Sequence, residues 1–175
     1  VIIDAGAKIE SKDKTLVTPF ILAAIHNKTE IIQLLIEKKI NINHIDSLGK
    51  SALSYVIFSN DLAMAELLLK KGADINITDH YGRTLLHWAC TTGKSRIASL
   101  LIDHHIDIDK QDSLGRTALH YASQFNVIHC IKVLLQNNAN TTIEDRYNET
   151  PLLFAAFCGN KEATSSLYEY TGPMS

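Results

Sequence analysis

The sequence has little of what marks a nucleic-acid-binding or a membrane protein. Its 17 lysine and arginine residues stand against 19 aspartate and glutamate residues, which gives a net charge of −2. A chain without excess positive charge has no field to hold phosphate backbones, so we expect no nucleic acid partner. No apolar run approaches the roughly 20 residues that a membrane helix needs. We therefore expect no membrane insertion by this chain.

Cysteine is scarce, and no secretory signal is visible. The three cysteines, Cys90, Cys130 and Cys158, are odd in number and lack C-x-x-C spacing. This pattern favours free thiols in a reducing compartment. The N-terminus has no basic segment followed by an apolar one. These features predict an intracellular protein, cytoplasmic in the first place and nuclear as the alternative.

Motifs that carry catalytic or cofactor chemistry are also missing. The sequence has no glycine-rich phosphate loop, no paired catalytic carboxylates and no serine elbow. His104 and His105 are adjacent and cannot both face one ion, while His87 and Cys90 share a helical face without further ligands at a zinc spacing. The same pair has no identifiable orienting acid or oxyanion donor. We predict that the chain is not an enzyme and holds no metal or cofactor.

What the sequence does have is a period of 33 residues. Aspartate recurs at Asp13, Asp46, Asp79, Asp112 and Asp145. A hydroxyl residue recurs at Thr18, Ser51, Thr84, Thr117 and Thr150, and leucine at Leu35, Leu68, Leu101, Leu134 and Leu167. A small residue keeps the same step at Ala23, Val56, Ala89, Ala122 and Ala155. A fixed period of this length indicates a repeat architecture, in which neighbouring units supply each other's core.

Each unit reads as a turn followed by two short helices. Asp79-His-Tyr-Gly82 suits a tight turn, with the aspartate accepting backbone N–H bonds. Thr150-Pro151 places a hydroxyl at the N-cap and proline at the first helical position. After a break, Ile31-Ile-Gln-Leu-Leu35 has helical spacing, and Gly72 can take the left-handed conformation that ends a helix. Lys39 and His105 replace that glycine, so we expect strain in their units.

Two stretches carry a specific resemblance. Asp79-His-Tyr-Gly-Arg-Thr-Leu-Leu-His87 and Gly72-Ala-Asp-Ile-Asn76 match the Asp-x-x-Gly, Thr-Pro-Leu-His and Gly-Ala-Asp-Ile-Asn elements of ankyrin repeats, which the chain resembles over nearly its whole length. The resemblance implies an all-α solenoid of stacked helix-turn-helix units, with β-hairpin fingers and first helices lining a concave groove. It also implies that His87 and His120 tie neighbouring turns together.

The period also predicts the boundaries of the repeats. We expect the tail of a truncated repeat at 1–11, repeats at 12–44, 45–77, 78–110 and 111–143, and a terminal repeat with a C-terminal tail at 144–175. Gly6-Ala-Lys-Ile9 aligns with the end of a repeat, and the chain begins with Val1, so we expect the array to continue upstream. Thr164 and Ser166 replace apolar residues of the earlier units, so we expect a polar cap at the other end.

Function is expected at positions that vary between units and face the groove. The finger tips offer His80 and an apolar row of Leu48, Tyr81, Leu114 and Tyr147. The ends of the first helices offer Phe58, Phe125 and Phe157, which we expect to sit deeper. Exposed apolar patches of this kind mark partner sites, although tip residues can instead pack on adjacent fingers. A further aromatic column, Tyr55, Trp88, Tyr121 and Phe154, is expected to pack between helices.

Two further features bear on partners. Lys50, Arg83 and Arg116 stand in register before the hydroxyl column and can present a positive ladder to an acidic partner, although arginine there is also common in the family. The segment from Leu68 to Asp74-Ile75-Asn76 resembles the sequence at which some animal ankyrin arrays are hydroxylated, which implies Asn76 as a candidate. A finger hydrogen bond is the alternative role for Asn76.

The leading hypothesis is a monomeric, non-enzymatic scaffold that binds a protein or peptide on its concave face. The alternative is a regulatory or targeting domain attached to a catalytic or membrane polypeptide, such as a channel, acyltransferase, kinase or microbial effector.

Overall fold

The computed structural model describes residues 8–171, in which ten α-helices and no β-strand occur. The chain divides into two compact units, here the N-terminal unit (Val1–His80) and the C-terminal unit (Tyr81–Ser175). The N-terminal unit contains α1 (Pro19–Ile25), α2 (Thr29–Glu37), α3 (Ala52–Ser59) and α4 (Leu62–Lys70). The C-terminal unit contains α5 (Leu85–Thr91), α6 (Ser95–Asp103), α7 (Ala118–Gln124), α8 (Ile128–Gln136), α9 (Pro151–Phe157) and α10 (Lys161–Thr171). The predicted repeat remnant at 1–11 lies largely outside the described residues.

The hydroxyl column caps the first helix of each pair. The hydroxyl oxygens of Thr18, Ser51 and Thr150 each accept a hydrogen bond from the backbone N–H three residues later, at 3.3–3.4 Å. Pro19 and Pro151 follow their caps directly, where the missing N–H costs nothing. The sequence-based prediction of these helix starts is confirmed.

The core of each unit lies between successive helix pairs. α1 packs against α3 in the N-terminal unit, and α7 packs against both α5 and α9 in the C-terminal unit. The leucine column of the second helices is at most 1% exposed, and the small column of the first helices at most 5%. Small side chains let the first helices approach closely. Helices of seven to nine residues are unstable alone in water, so this packing sustains them.

Each finger is a tight turn organised by its aspartate. Asp46, Asp112 and Asp145 each accept backbone N–H bonds from the residues two and four positions later, at 2.8–3.1 Å. The resemblance implied β-hairpin fingers, but among the described residues the pairing is reduced to isolated bridge residues, such as the antiparallel bridge between Ile45 and Ser51. The fingers are turns because the aspartate side chain takes the N–H groups that a longer ladder would use.

Backbone hydrogen bonds join neighbouring fingers. Ser47 N donates to Thr15 O at 2.9 Å in the N-terminal unit. In the C-terminal unit Ser113 N donates to Tyr81 O at 2.8 Å, and Arg146 N donates to Leu114 O at 2.9 Å. The finger tips within a unit are therefore held side by side by the main chain.

The last helix pair is tied to the pair before it by two asparagines. The side-chain amide of Asn160 donates to Ser123 O at 2.9 Å and to Gln124 O at 2.8 Å, at the C-terminal end of α7. Asn126 Oδ1 accepts from Ala163 N at 3.3 Å. Thr164 and Ser166, the residues of the predicted polar cap, are half-buried, and their hydroxyls donate to the backbone carbonyls of Asn160 and Glu162. Their role as a cap stays a prediction.

The expected strain at the ends of the second helices is visible in the backbone. Lys39 and His105 have φ values of 57° and 62°, in the left-handed region that favours glycine, and Gly72 occupies the equivalent position with φ 88°. Asn138 also stands there, at φ 62°. Asparagine tolerates this conformation better than lysine or histidine.

We predict that His105→Gly raises the free energy of unfolding by about 0.5–1 kcal/mol, because it removes the Cβ strain at an exposed position. Urea denaturation measures the change. The matched control is Asn138→Gly, for which we expect a change close to zero. A destabilised His105→Gly protein would contradict the strain argument.

Candidate protein-interaction surfaces

The second carboxylate oxygen of three finger aspartates, Asp46, Asp112 and Asp145, joins the finger to a side chain outside it. Tyr55 Oη donates to Asp46 Oδ2 at 2.5 Å, and Tyr121 Oη donates to Asp112 Oδ2 at 2.7 Å. Burial, together with the neighbouring carboxylate, raises the pKa of each tyrosine to about 12. These tyrosines of the further aromatic column therefore fix a finger to its own first helix, in addition to packing.

The last finger uses an arginine in place of a tyrosine. Arg116 Nε donates to Asp145 Oδ2 at 3.2 Å, and the carboxylate is fully buried. Burial raises the pKa of Asp145, but the N–H groups of Tyr147 and Glu149 and the Arg116 guanidinium outweigh it, so the pKa lies below its ordinary value. This contact links the finger at 112–116 to the next one.

Two histidines connect α5 and α7, the first two of the three first helices in the C-terminal unit, to the finger that follows each of them. His87 Nε2 lies 2.9 Å from Arg116 O, and His120 Nε2 lies 3.0 Å from Glu149 O. Each Nδ1 lies 2.8–2.9 Å from the hydroxyl of its N-cap threonine. The role that the resemblance implied for these residues is therefore present, and both imidazoles are buried with both nitrogens engaged.

The three cysteines and the histidine-cysteine pair show no catalytic geometry. Cys90 and Cys130 are buried, Cys158 is exposed, and all three are free thiols. Contact with the Cys130 thiol and burial raise the pKa of Cys90, which keeps it protonated. Among the described residues, no three histidine, cysteine, aspartate or glutamate side chains are grouped to hold a metal ion. A pocket of about 90 Å³ in the N-terminal unit, lined in part by Phe20 and His44, is small.

The positive ladder is engaged with aromatic rings. Lys50 Nζ lies 4.7 Å from the centroid of the Phe58 ring, and Arg83 Cζ lies 4.1 Å from that of Trp88. Arg116 Cζ lies 4.6 Å from the Phe154 ring centroid. These cation–π contacts were not predicted from the sequence. Trp88 and Phe58 follow their cations by five and eight positions, whereas Phe154 belongs to the repeat after that of Arg116.

Most of the predicted partner-binding side chains are exposed. In the N-terminal unit Leu48 is 56% exposed, His80 is exposed with Nε2 3.3 Å from Ser47 O, and Phe58 is half-buried beneath Lys50. The exposed fractions in the C-terminal unit are 64% for Tyr81, 36% for Leu114, 53% for Phe125, 67% for Tyr147 and 88% for Phe157.

Two of the three phenylalanines at the first-helix ends are strongly exposed. Phe125 and Phe157 are exposed to a similar or greater degree than the tip residues, and their expected position deeper in the groove stays a prediction. Phe125 is the C-cap residue of α7, and Phe157 is the last residue of α9. Side chains at the end of a seven-residue helix extend past the packed faces, which explains their exposure.

Asn76 lies in the exposed loop after α4. Its backbone N–H donates to Asp74 Oδ1 at 2.8 Å, which shapes the loop. The side chain is exposed, and its hydroxylation stays a prediction.

The described helix pairs, capped by threonine or serine and joined by aspartate turns, define a helical-repeat protein. A family model described as ankyrin repeats (3 copies) matches residues 1–79 and 86–173. The chain belongs to the ankyrin repeat family, an all-α repeat fold whose members are generally protein–protein interaction modules.

No curated protein is similar enough to this chain to count as a match. In the part of the chain that the structure describes, no helix has the length and apolar content to cross a membrane.

We predict that His120 makes the protein less stable in mild acid. Burial lowers the pKa of His120 below 6.5 more than its bond to Glu149 O raises it. A lowered folded-state pKa leaves the stabilising contribution intact above about pH 6.5, the pKa of unfolded histidine, and removes it as the pH falls through the folded value.

The test is to compare His120→Leu with the wild type by urea unfolding between pH 7 and pH 5. The variant should be less stable at pH 7. It should also lose less of its stability on acidification, because leucine cannot be protonated, and the other histidines titrate in both proteins and so do not affect the difference. Parallel pH profiles would contradict the assignment.

Proposed function

We propose that this protein is a non-enzymatic interaction module, and that the finger tips and first-helix ends of the C-terminal unit bind a protein or peptide partner. The observation that carries the proposal is the row of Tyr81, Leu114 and Tyr147, exposed on three fingers whose backbones are hydrogen-bonded side by side. Aromatic anchors dominate the energy of protein interfaces, and solvent exposure of several in one row indicates a partner site.

Phe125 extends this row onto the helices. It ends α7, whose finger carries Leu114, and its ring is 53% exposed. Phe157 lies at the corresponding C-terminal end of α9. An extended segment bound along the tips would find apolar contacts on two levels, which favours a peptide over a small ligand.

The rigidity of the fingers supports the same conclusion. Each aspartate accepts two backbone N–H bonds, and histidines and main-chain bonds hold neighbouring fingers. Binding to a surface that is already ordered loses little conformational entropy. We propose the same mode, on a smaller scale, for Leu48, Phe58 and His80 of the N-terminal unit.

The cations at the finger bases suit an acidic element in the partner. Arg83 and Arg116 of the C-terminal unit and Lys50 of the N-terminal unit are half-buried against aromatic rings, which restricts their motion. Charges held in this way favour encounter with carboxylates and affect association rate more than affinity. We also propose an intracellular setting, supported by the three free thiols, two of them buried.

The test is a phage-display selection of random peptides on the wild-type protein, followed by affinity measurement on variants. The double variant Tyr81→Ala/Phe125→Ala should weaken the selected peptides by about tenfold or more, since it removes two exposed aromatic anchors. The control Tyr168→Ala/Tyr170→Ala removes two exposed aromatic residues of α10 and should bind as the wild type does.

Circular dichroism and urea unfolding verify that both variants are folded. Selected peptides that bind the folded Tyr81→Ala/Phe125→Ala protein with unchanged affinity would refute the proposed surface.

A further inference from the structure

Two of the three cysteines lie against each other in the core of the C-terminal unit. Cys90 is the sixth residue of α5, Cys130 is the third residue of α8, and both are fully buried. Their side chains are in hydrogen-bonding contact. Cys130 Sγ also lies 3.9 Å from the carbonyl oxygen of Ala89, the residue before Cys90. The fold thus brings together two thiols that come from successive helix pairs.

The two thiols differ in their local electrostatics. Cys130 stands in the first turn of α8, a nine-residue helix whose N-cap residue, Val127, makes no side-chain cap bond. The positive end of a helix stabilises a thiolate at this position. A hydrogen bond from Cys90 also lowers the pKa of Cys130, and this effect outweighs the burial that raises it. Cys90 stands in the last turn of α5, where the helix carbonyls disfavour a thiolate.

This asymmetry gives the two cysteines different chemical roles. The thiolate is the nucleophile in cysteine chemistry, so Cys130 is the attacking member of the pair. Cys90 keeps its proton and lies within reach of the Cys130 sulfur. An attacking cysteine with a second thiol beside it is the arrangement found where cysteine oxidation is reversible. A single buried cysteine would lack that partner.

We propose that Cys90 and Cys130 form a reversible disulfide when the protein meets hydrogen peroxide, and that this bond joins the α5–α6 pair to the α7–α8 pair. No catalytic role is involved, and the proposal is independent of the finger-tip surface. It agrees with free thiols in a reducing setting, because disulfides of such proteins form transiently and report on oxidants.

The reaction balances with peroxide as the only oxidant. The Cys130 thiolate attacks one peroxide oxygen, the O–O bond breaks, and a sulfenic acid forms. The departing hydroxide takes up the proton that Cys130 released. The Cys90 sulfur then attacks the Cys130 sulfur, the S–O bond breaks, and the hydroxyl group leaves as water with the proton of Cys90. Two thiols lose two electrons, one peroxide becomes two waters, and a dithiol reductant reverses the bond.

Peroxide has to reach thiols that have no solvent exposure. Ile128, His129 and Lys132 flank Cys130 along α8 and line an open groove, so the first turn of this helix borders solvent. Local opening of a short helix admits a molecule not much larger than water. Because the reaction needs this opening, we expect the pair to be oxidised more slowly than the exposed Cys158.

The disulfide would add a covalent connection to the hydrogen bonds between these helix pairs. The existing bonds include those of His87 Nε2 with Arg116 O and of Ser113 N with Tyr81 O, which involve the fingers. A bond between residues 90 and 130 closes a loop of about 40 residues and so restricts the unfolded chain. The oxidised protein should therefore be the more stable form.

The test uses the 175-residue chain with Cys158→Ser, which removes the exposed thiol and with it disulfides between molecules. The folded protein is treated with hydrogen peroxide near neutral pH, the remaining thiols are alkylated in urea, and the peptides are analysed by mass spectrometry. We expect a peptide pair linked through Cys90 and Cys130 and a higher urea midpoint than that of the reduced protein. Dithiothreitol should reverse both changes.

Separating the two cysteines should give different products. In Cys90→Ala/Cys158→Ser the sulfenic acid of Cys130 has no resolving thiol, so it should react with dimedone or proceed to sulfinic acid. In Cys130→Ala/Cys158→Ser we expect Cys90 to remain a thiol under the same treatment. Circular dichroism verifies that both variants are folded.

Three outcomes would overturn the proposal. The first is that Cys90 and Cys130 stay reduced at a peroxide dose that oxidises Cys158 in the wild type. The second is a linked pair that appears only in urea, and the third is a linked protein less stable than the reduced one. Oxidation of Cys90 in the variant without Cys130 would overturn the assigned roles.

Discussion

The buried carboxylate of the finger aspartate is the interaction on which the described structure depends. One oxygen of Asp46, Asp112 or Asp145 accepts two backbone N–H groups and closes the turn. The other oxygen accepts from a tyrosine or an arginine. A buried charge is tolerated only when its hydrogen-bonding capacity is used, so the same contacts that satisfy the carboxylate also shape the finger and attach it to a helix.

The attachment of one repeat to the next follows from that geometry. A finger fixed by its aspartate presents a backbone carbonyl at a constant place, and His87 and His120 reach those carbonyls from the preceding helix. Because each bond crosses between repeats, the order of a finger depends on its neighbour as well as on its own sequence. The exposed tips are consequently held on an ordered surface, which is the physical basis of the binding role proposed for them.

Several elements of the fold and candidate sites were predictable because their physics is local. The N-caps, the aspartate turns and the left-handed positions at Lys39 and His105 depend on residues a few positions apart, so their pattern predicts them. The exposed tip residues were predictable from their place in the period. The cation–π contacts of Lys50, Arg83 and Arg116 were not, since they depend on side-chain directions and, for Arg116, on packing against the next repeat.

The sequence alone determined the family, the helix pairs and the columns that form the core, because a 33-residue period places the same capping, turn and apolar residue types at equivalent positions of the units. Only the tertiary structure decided which members of an equivalent column are covered. His120 and Leu153 hold the same position in the period, yet one is buried and the other is 53% exposed. Exposure is set by whatever packs on a helix, and no residue carries that information by itself.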